Sequence, residues 1–342
     1  MQCACRSWTG GTYLSTFCAS KLRLFLARLI FKIVFEKFVF CKMRFFKRTL
    51  VSLLFWPIQR LPLRVVCRLG RVMGDLAYRI VWRRKRIAMQ NLRQCLGSHF
   101  SENQIRQICR ENFKRIGENF ISMVKLASMS WPEVSMHLRF VGLEKLFVAA
   151  PTDLNQLRGK FVFAIGHFGN FELFAWFQKL VPGMRCVTTY RGLNQAFFSD
   201  IMQSLRAQTG CTFIERRSEW ENLRHLLGES EDIIVGILAD QHAGKHGLAI
   251  PFFGRNASTT RAPAVIARRY NCRLFTAFCF REGLAKWRIE CGEEIPVHNS
   301  EGRPREVREI MADVNAAFER AILRDPANWF WVHNRWKSPG HS

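Results

Sequence analysis

The spacing of apolar and polar positions changes character about halfway along the chain. After residue 160, short apolar runs recur at Phe161–Ile165, Cys186–Tyr190, Cys211–Ile214, Ile233–Leu238, Arg273–Phe280 and Trp287–Cys291. They have strand length, are rich in aromatic and β-branched residues, and are bounded by Gly and polar residues. Between and after them the spacing predicts helices over Phe171–Leu180, Gln195–Thr209, Trp220–Leu227, Pro263–Tyr270 and Arg305–Arg324. Strands alternating with helices predict an α/β fold, a mainly parallel central sheet wrapped by helices. From Leu50 to Leu126 the pattern is helical instead. A basic apolar stretch runs to Arg86, followed by Ile87–Leu96 and an amphipathic segment ending at Leu126. Ser101, with Gln104 three residues later, has the signature of a helix-starting capping box.

Leu22–Phe40 is apolar but carries Arg23, Arg28, Lys32, Glu36 and Lys37. Arg28, Lys32 and Glu36 fall on one stripe, which predicts a helix lying in a membrane interface rather than crossing it. Residues 1–42 differ in composition from the rest, and Met43-Arg-Phe-Phe-Lys-Arg would itself make a translation start, so 1–42 reads as a dispensable extension or a start-site artefact. The expected organisation is that extension, a basic amphipathic helical membrane-associating region over 43–150, and an α/β core over 151–337.

Charge narrows the choice of partner. The chain has 52 Lys and Arg against 27 Asp and Glu, a net charge of +25. An excess of this size calls for an anionic partner. Between Lys42 and Arg86 there are thirteen basic residues and one acid, Asp75, interleaved with large apolar side chains. A nucleic-acid arm is basic and polar. Cations alternating with apolar bulk suit a lipid headgroup layer, so a membrane is favoured and nucleic acid is not expected. The twelve cysteines form no Cys-x-x-Cys pair, and no His cluster has zinc-type spacing, so reduced thiols and no metal site are expected.

The most informative stretch is His167-Phe-Gly-Asn-Phe-Glu172. It follows the strand Phe161–Ile165 and enters a helix with Asn170 as expected N-cap, which puts His167 at a strand's carboxyl end, where open α/β sheets bind ligands. Glu172, in the first helical turn, is placed to hold the histidine in one tautomer, and a base oriented by a carboxylate can activate a hydroxyl. Two further strand ends carry polar blocks, Thr188–Asn194 with Arg191 and Leu238–Gly247 with Asp240. A fourth block, Trp329–Trp336, is aromatic. Three polar strand ends on one rim are how an α/β active site is assembled.

These blocks, in order from about Met43 to Lys337, resemble the bacterial lipid A biosynthesis acyltransferases, the lauroyl/myristoyl transferases. That family lies within the glycerolipid acyltransferase superfamily, whose mark is a histidine and an acid separated by four residues. The resemblance implies transfer of a fatty acyl chain from acyl carrier protein to a hydroxyl of a lipid A precursor, at the cytoplasmic face of the inner membrane, without a cofactor. It implies His167 as general base and Glu172 as its orienting partner. Gly169 and Asn170 would shape the turn and offer oxyanion donors, Arg191 would bind phosphate or developing charge, and Asp240 would line the rim. Trp329, Trp331 and Trp336 read as core or interfacial anchors. The chain departs from the family pattern at Gly192, where Pro is usual, and at His242-Ala243, where Asn-Pro is common. His242 and His246 are open to reading as metal ligands or a second base, although a polar loop suited to one headgroup is preferred. Another phospho- or glycolipid acceptor, or a non-catalytic basic membrane- or nucleic-acid-binding protein, are the rival readings.

Overall fold

The computed structural model describes residues 56–148, 153–190, 206–215 and 219–337. The interfacial helix expected at Leu22–Phe40, the extension 1–42 and Arg191 lie outside these residues. Three helices come first: α1 (Leu63–Ile80), α2 (Trp82–Leu96) and α3 (Glu102–Leu126). The expected capping box starts α3, with Ser101 accepting from the Gln104 backbone N–H while the Gln104 side chain accepts from the Ser101 N–H. Helices α1 and α3 meet through glycine. A Cβ on Gly117 would fall 2.1 Å from the Gly70 carbonyl oxygen, so the two backbones touch where any side chain would force them apart.

After the short helix α4 (Trp131–Ser135) come strands β1 (Leu138–Val141), β2 (Lys160–Ile165), β3 (Arg185–Tyr190) and β4 (Thr212–Glu215). Helix α5 (Trp220–Glu229) leads to β5 (Ile233–Leu238), the hairpin β6 (Leu248–Phe252) and β7 (Arg255–Thr259), and helix α6 (Ala262–Arg269). Strands β8 (Arg273–Gly283) and β9 (Lys286–Ile295) and helix α7 (Val307–Arg324) follow. The main sheet has the order β1-β9-β8-β2-β5-β3-β4, and five of its six pairings are parallel. The exception is the antiparallel hairpin β8–β9. The strand β1 and the hairpin β6–β7 are strands beyond those the spacing predicts; Pro251 interrupts the apolar run of β6, and β7 is mostly polar. The β6–β7 turn instead relies on positive φ at Phe253 and Gly254, as two-residue hairpin turns require.

The sheet is buried on both faces, which is why β2 is apolar from Phe161 onward. Val162 and Ala164 point into a large core shared with α2, α3, α6 and α7. Phe161, Phe163 and Ile165 point the other way, into a core with Phe275, Ile234 and Cys186. The segment expected as a helix over Phe171–Leu180 is a 3-10 helix over Phe171–Lys179. Side chains three apart eclipse in that geometry, so Phe171, Phe174 and Phe177 all stand on one side, facing the sheet. Among the described residues no helix is long and apolar enough to cross a membrane.

Candidate active site

Parallel pairing builds the centre of the site. Ile165 at the end of β2 is in register with Leu238 at the end of β5, and the Ala239 N–H continues the ladder to the Ile165 carbonyl. Two residues past each strand end, His167 and Asp240 are therefore neighbours. Asp240 Oδ1 lies 2.8 Å from His167 Nδ1, and Oδ2 accepts from the His167 backbone N–H at 2.8 Å and from Trp329 Nε1 at 2.7 Å. The carboxylate is buried completely. Burial alone would raise its pKa, but attraction to His167 and these three hydrogen bonds outweigh it and hold the group below its ordinary value. An Nδ1–H donated to Asp240 leaves Nε2 as the unprotonated nitrogen of the neutral ring. The ring is packed between Phe171, at a centroid distance of 4.8 Å, and Phe330, at 6.1 Å.

The carboxylate on His167 is thus Asp240, and not Glu172 as the spacing suggested. Glu172 turns away and is held by Arg206, whose Nε donates to Oε2 at 2.8 Å and whose Nη2 also bonds the carboxylate. The reason lies in the intervening turn. Gly169 has φ +62°, where a Cβ would stand 2.0 Å from the Cys279 carbonyl, and the chain then enters the 3-10 helix on the far side. Gly169 does shape the turn, but its N–H donates to the Asn328 carbonyl at 2.8 Å and so is engaged within the fold. Asn170 does not cap through its side chain. It is buried, and its Nδ2 bonds Ser122 Oγ of α3.

The aromatic block at the end of the chain supplies what spacing did not show. Phe168 and Trp329 form an antiparallel bridge, so residues 327–335 run beside the His167 turn. Two asparagines hold this strap by its carbonyls. Asn112 Nδ2 donates to Ala327 and Trp329, and Asn91 Nδ2 to Trp331 and His333. Trp331 packs edge-on against Trp329 at 4.7 Å, as a core anchor. Arg335 is fully buried and donates to the Ser258 carbonyl and to Thr259 Oγ1. Burial lowers its pKa to about 10, which still leaves it charged at neutral pH. Burial likewise pushes His333 down to about 4, so that ring is neutral, and its Nε2 accepts from the His242 N–H. His242 Nδ1 accepts from the Gly244 N–H, a local loop contact. Among the described residues no group of three or more His, Cys, Asp or Glu is arranged to hold a metal ion. Their eight cysteines are unpaired, and burial raises every thiol pKa, Cys279 behind the turn to about 12. No thiol there is set up as a nucleophile.

Beside the histidine opens a cavity with about 850 Å³ of empty space, its open mouth included. One wall is the 3-10 helix with Phe171, Phe174 and Phe177, and the other is the sheet face with Phe163, Ile234 and Gly236. The lining is apolar apart from a few groups, chiefly the Glu172–Arg206 ion pair. Phe171 both lines the cavity and touches His167, so the histidine stands one ring from its edge.

A carboxylate-bound histidine at the end of a parallel sheet, next to a deep apolar cavity, defines an α/β enzyme site fitted to a substrate with a long apolar part. The sequence profile of the family described as bacterial lipid A biosynthesis acyltransferase matches residues 37–338, and the chain belongs to that family. It is 28% identical over 291 residues to the lipid A biosynthesis palmitoleoyltransferase of Escherichia coli K12, covering 83% of this chain and 88% of that one. To the lipid A biosynthesis lauroyltransferase of the same organism it is 25% identical over 291 residues, covering 83% and 89%. A lipid A biosynthesis acyltransferase of Shigella flexneri matches at 28% over the same length. The protein is an acyltransferase of lipid A biosynthesis.

Proposed function

We propose that the protein transfers a fatty acyl chain from acyl carrier protein to a hydroxyl of a lipid A precursor, at the cytoplasmic face of the inner membrane, with His167 as general base. The observation that carries this reading is the Asp240-bound imidazole at the edge of the apolar cavity. The acyl chain lies between the 3-10 helix and the sheet, with its thioester near His167. Nε2 removes the proton from the acceptor hydroxyl, and the oxygen adds to the thioester carbonyl carbon. When the tetrahedral intermediate collapses the carbon–sulfur bond breaks, the ester forms, and the imidazolium returns its proton to the departing thiolate. Asp240 steadies the imidazolium while it exists, as the acid of a hydrolase triad does. Every proton in this cycle passes through His167, and no enzyme nucleophile or cofactor is required.

Glu172 and Arg206 form a neutral pair in the cavity wall, which lets an otherwise apolar lining hold two charged groups. Arg191, by the family resemblance, meets a substrate phosphate or the developing oxyanion. The basic surface of the chain suits both proposed partners, an acidic carrier protein and an anionic lipid. The test is incubation of the purified protein with a lipid A precursor and a panel of acyl carrier protein thioesters. His167→Ala is expected to abolish transfer and leave membrane association intact, and near-native turnover by that variant would overturn the mechanism.

A further inference from the structure

Helix α1 carries two apolar stripes, and only one of them is buried. Leu63, Val66, Cys67, Gly70 and Gly74 form the buried stripe. At 3.6 residues per turn, Leu69, Val72, Met73, Leu76 and Ile80 fall together on a second side, about 120° round the helix from the buried stripe, and all are exposed, Val72 by 67% and Ile80 by 63%. Trp82, at the start of α2, extends the row and is 68% exposed. A row of large apolar side chains facing outward marks an interaction surface.

Its chemical surroundings select the partner. From Trp56 to Gly97 the chain has ten basic residues and a single acid, Asp75. That acid is taken up by Arg79 and Arg110. Among the described residues, no carboxylate pairs with Arg68, Arg83 or Arg86, which are exposed on the same two helices. A protein partner of ordinary composition would leave these cations uncompensated, whereas a lipid leaflet offers apolar depth and an anionic rim together. The row also ends beside the strap. Arg84, two residues beyond Trp82, donates to the carbonyl of Val332, within the strap that brings Trp329 to Asp240.

We propose that the outer face of α1, with Trp82 at its end, is the surface by which the protein lies on an anionic leaflet. The apolar row enters the headgroup–acyl boundary, and the arginines beside it hold lipid phosphates. This assignment goes beyond the transfer reaction and would stand if the acceptor were a different lipid, because contact is measured separately from turnover.

The test uses the full chain with the photoreactive residue benzoylphenylalanine at Met73 or Leu76, and at the exposed Glu229 of α5 as a control. Each protein is irradiated with vesicles of phosphatidylethanolamine, with and without phosphatidylglycerol, and the adducts are identified by mass spectrometry. Lipid adducts at 73 and 76 are expected to exceed those at 229 several-fold and to rise further with phosphatidylglycerol. Cross-links into residues 1–55 or into a second copy would overturn the proposal, as would lipid adducts no more frequent than at 229. Adducts indifferent to phosphatidylglycerol would overturn the anionic requirement.

Discussion

Replacing Asp240 by asparagine alters almost nothing in shape and tests the proposed chemistry directly. The carboxylate receives two donors on Oδ2, the His167 and Trp329 N–H groups, and one on Oδ1, from His167 Nδ1. An asparagine has only one acceptor oxygen. Facing it toward the two fixed donors keeps two hydrogen bonds, and its NH2 then meets Nδ1. The ring must then accept at Nδ1 and carry its proton on Nε2, where it cannot act as a base. Loss of the acid from a hydrolase triad by this route lowers kcat about 10⁴-fold. A loss of about 10³- to 10⁴-fold, or about 4 to 5.5 kcal/mol of barrier, is therefore expected here, with little change in KM. Folding should weaken by only about 1–3 kcal/mol, the ordinary cost of a mismatched buried polar group. The sign with pH follows from the lowered pKa of Asp240. Its share of stability is present above the ordinary carboxylate range and is lost as pH falls below it, so the asparagine variant should lack that part of the acid-induced loss. Single-turnover acyl transfer with a radiolabelled thioester, beside thermal unfolding of both proteins, gives the readout. A folded Asp240→Asn protein retaining turnover within about tenfold of the parent would refute the tautomer argument, whatever His167→Ala did.

Three further outcomes follow from the packing. Gly117→Ala would set its Cβ against the backbone of Gly70 and Gly74, so α1 must separate from α3, and calorimetry should show a loss of about 3 kcal/mol. A Cβ on Gly236, in the cavity wall, would stand in ordinary contact 3.5 Å from Thr188 Oγ1 and 3.6 Å from Ile165 Cδ1, so Gly236→Ala should fold and narrow the cavity. Turnover of the longest accepted thioester should fall about tenfold relative to shorter ones, and equal losses for all chain lengths would remove the acyl chain from that cavity. His333, held to about 4, is protonated more readily in the unfolded chain. Its contribution to stability is complete above about pH 6.5 and is lost as pH falls toward 4, by up to about 3 kcal/mol. His333→Gln keeps an acceptor for the His242 N–H, so denaturant titrations over that range should show a shallower decline than the parent.

The parallel sheet was legible because strands buried on both faces leave unbroken apolar runs, as at Phe161–Ile165 and Ile233–Leu238. The rim position of Asp240 was legible for the same reason, since it follows such a run. Its pairing with His167 was not, because that depends on the register of two strands 73 residues apart. A polar residue two positions beyond each of two strands was the available clue. Glu172 misled because five-residue spacing implies adjacency only if the chain continues smoothly, and Gly169 breaks it at positive φ. Arg206, the group that claims Glu172, is 34 residues away and has no motif. Trp329 was read as an anchor because an indole that packs and an indole that donates have the same letter, and only the neighbouring carboxylate distinguishes them.

The strap from Ala327 to Arg335 bears on how the protein comes into being. Trp329, which braces Asp240, follows every strand of the main sheet in chain order, whereas Asn91 and Asn112, which grip the strap, precede them all. During synthesis the helical clamp and nearly the whole sheet emerge before the piece that completes the site leaves the ribosome. A nascent chain that has not yet delivered residue 329 would therefore have His167 and Asp240 in place while lacking the indole that braces them, so competence arrives only with the strap. Any fragment ending before residue 327 would remain an apolar pocket without an ordered catalyst.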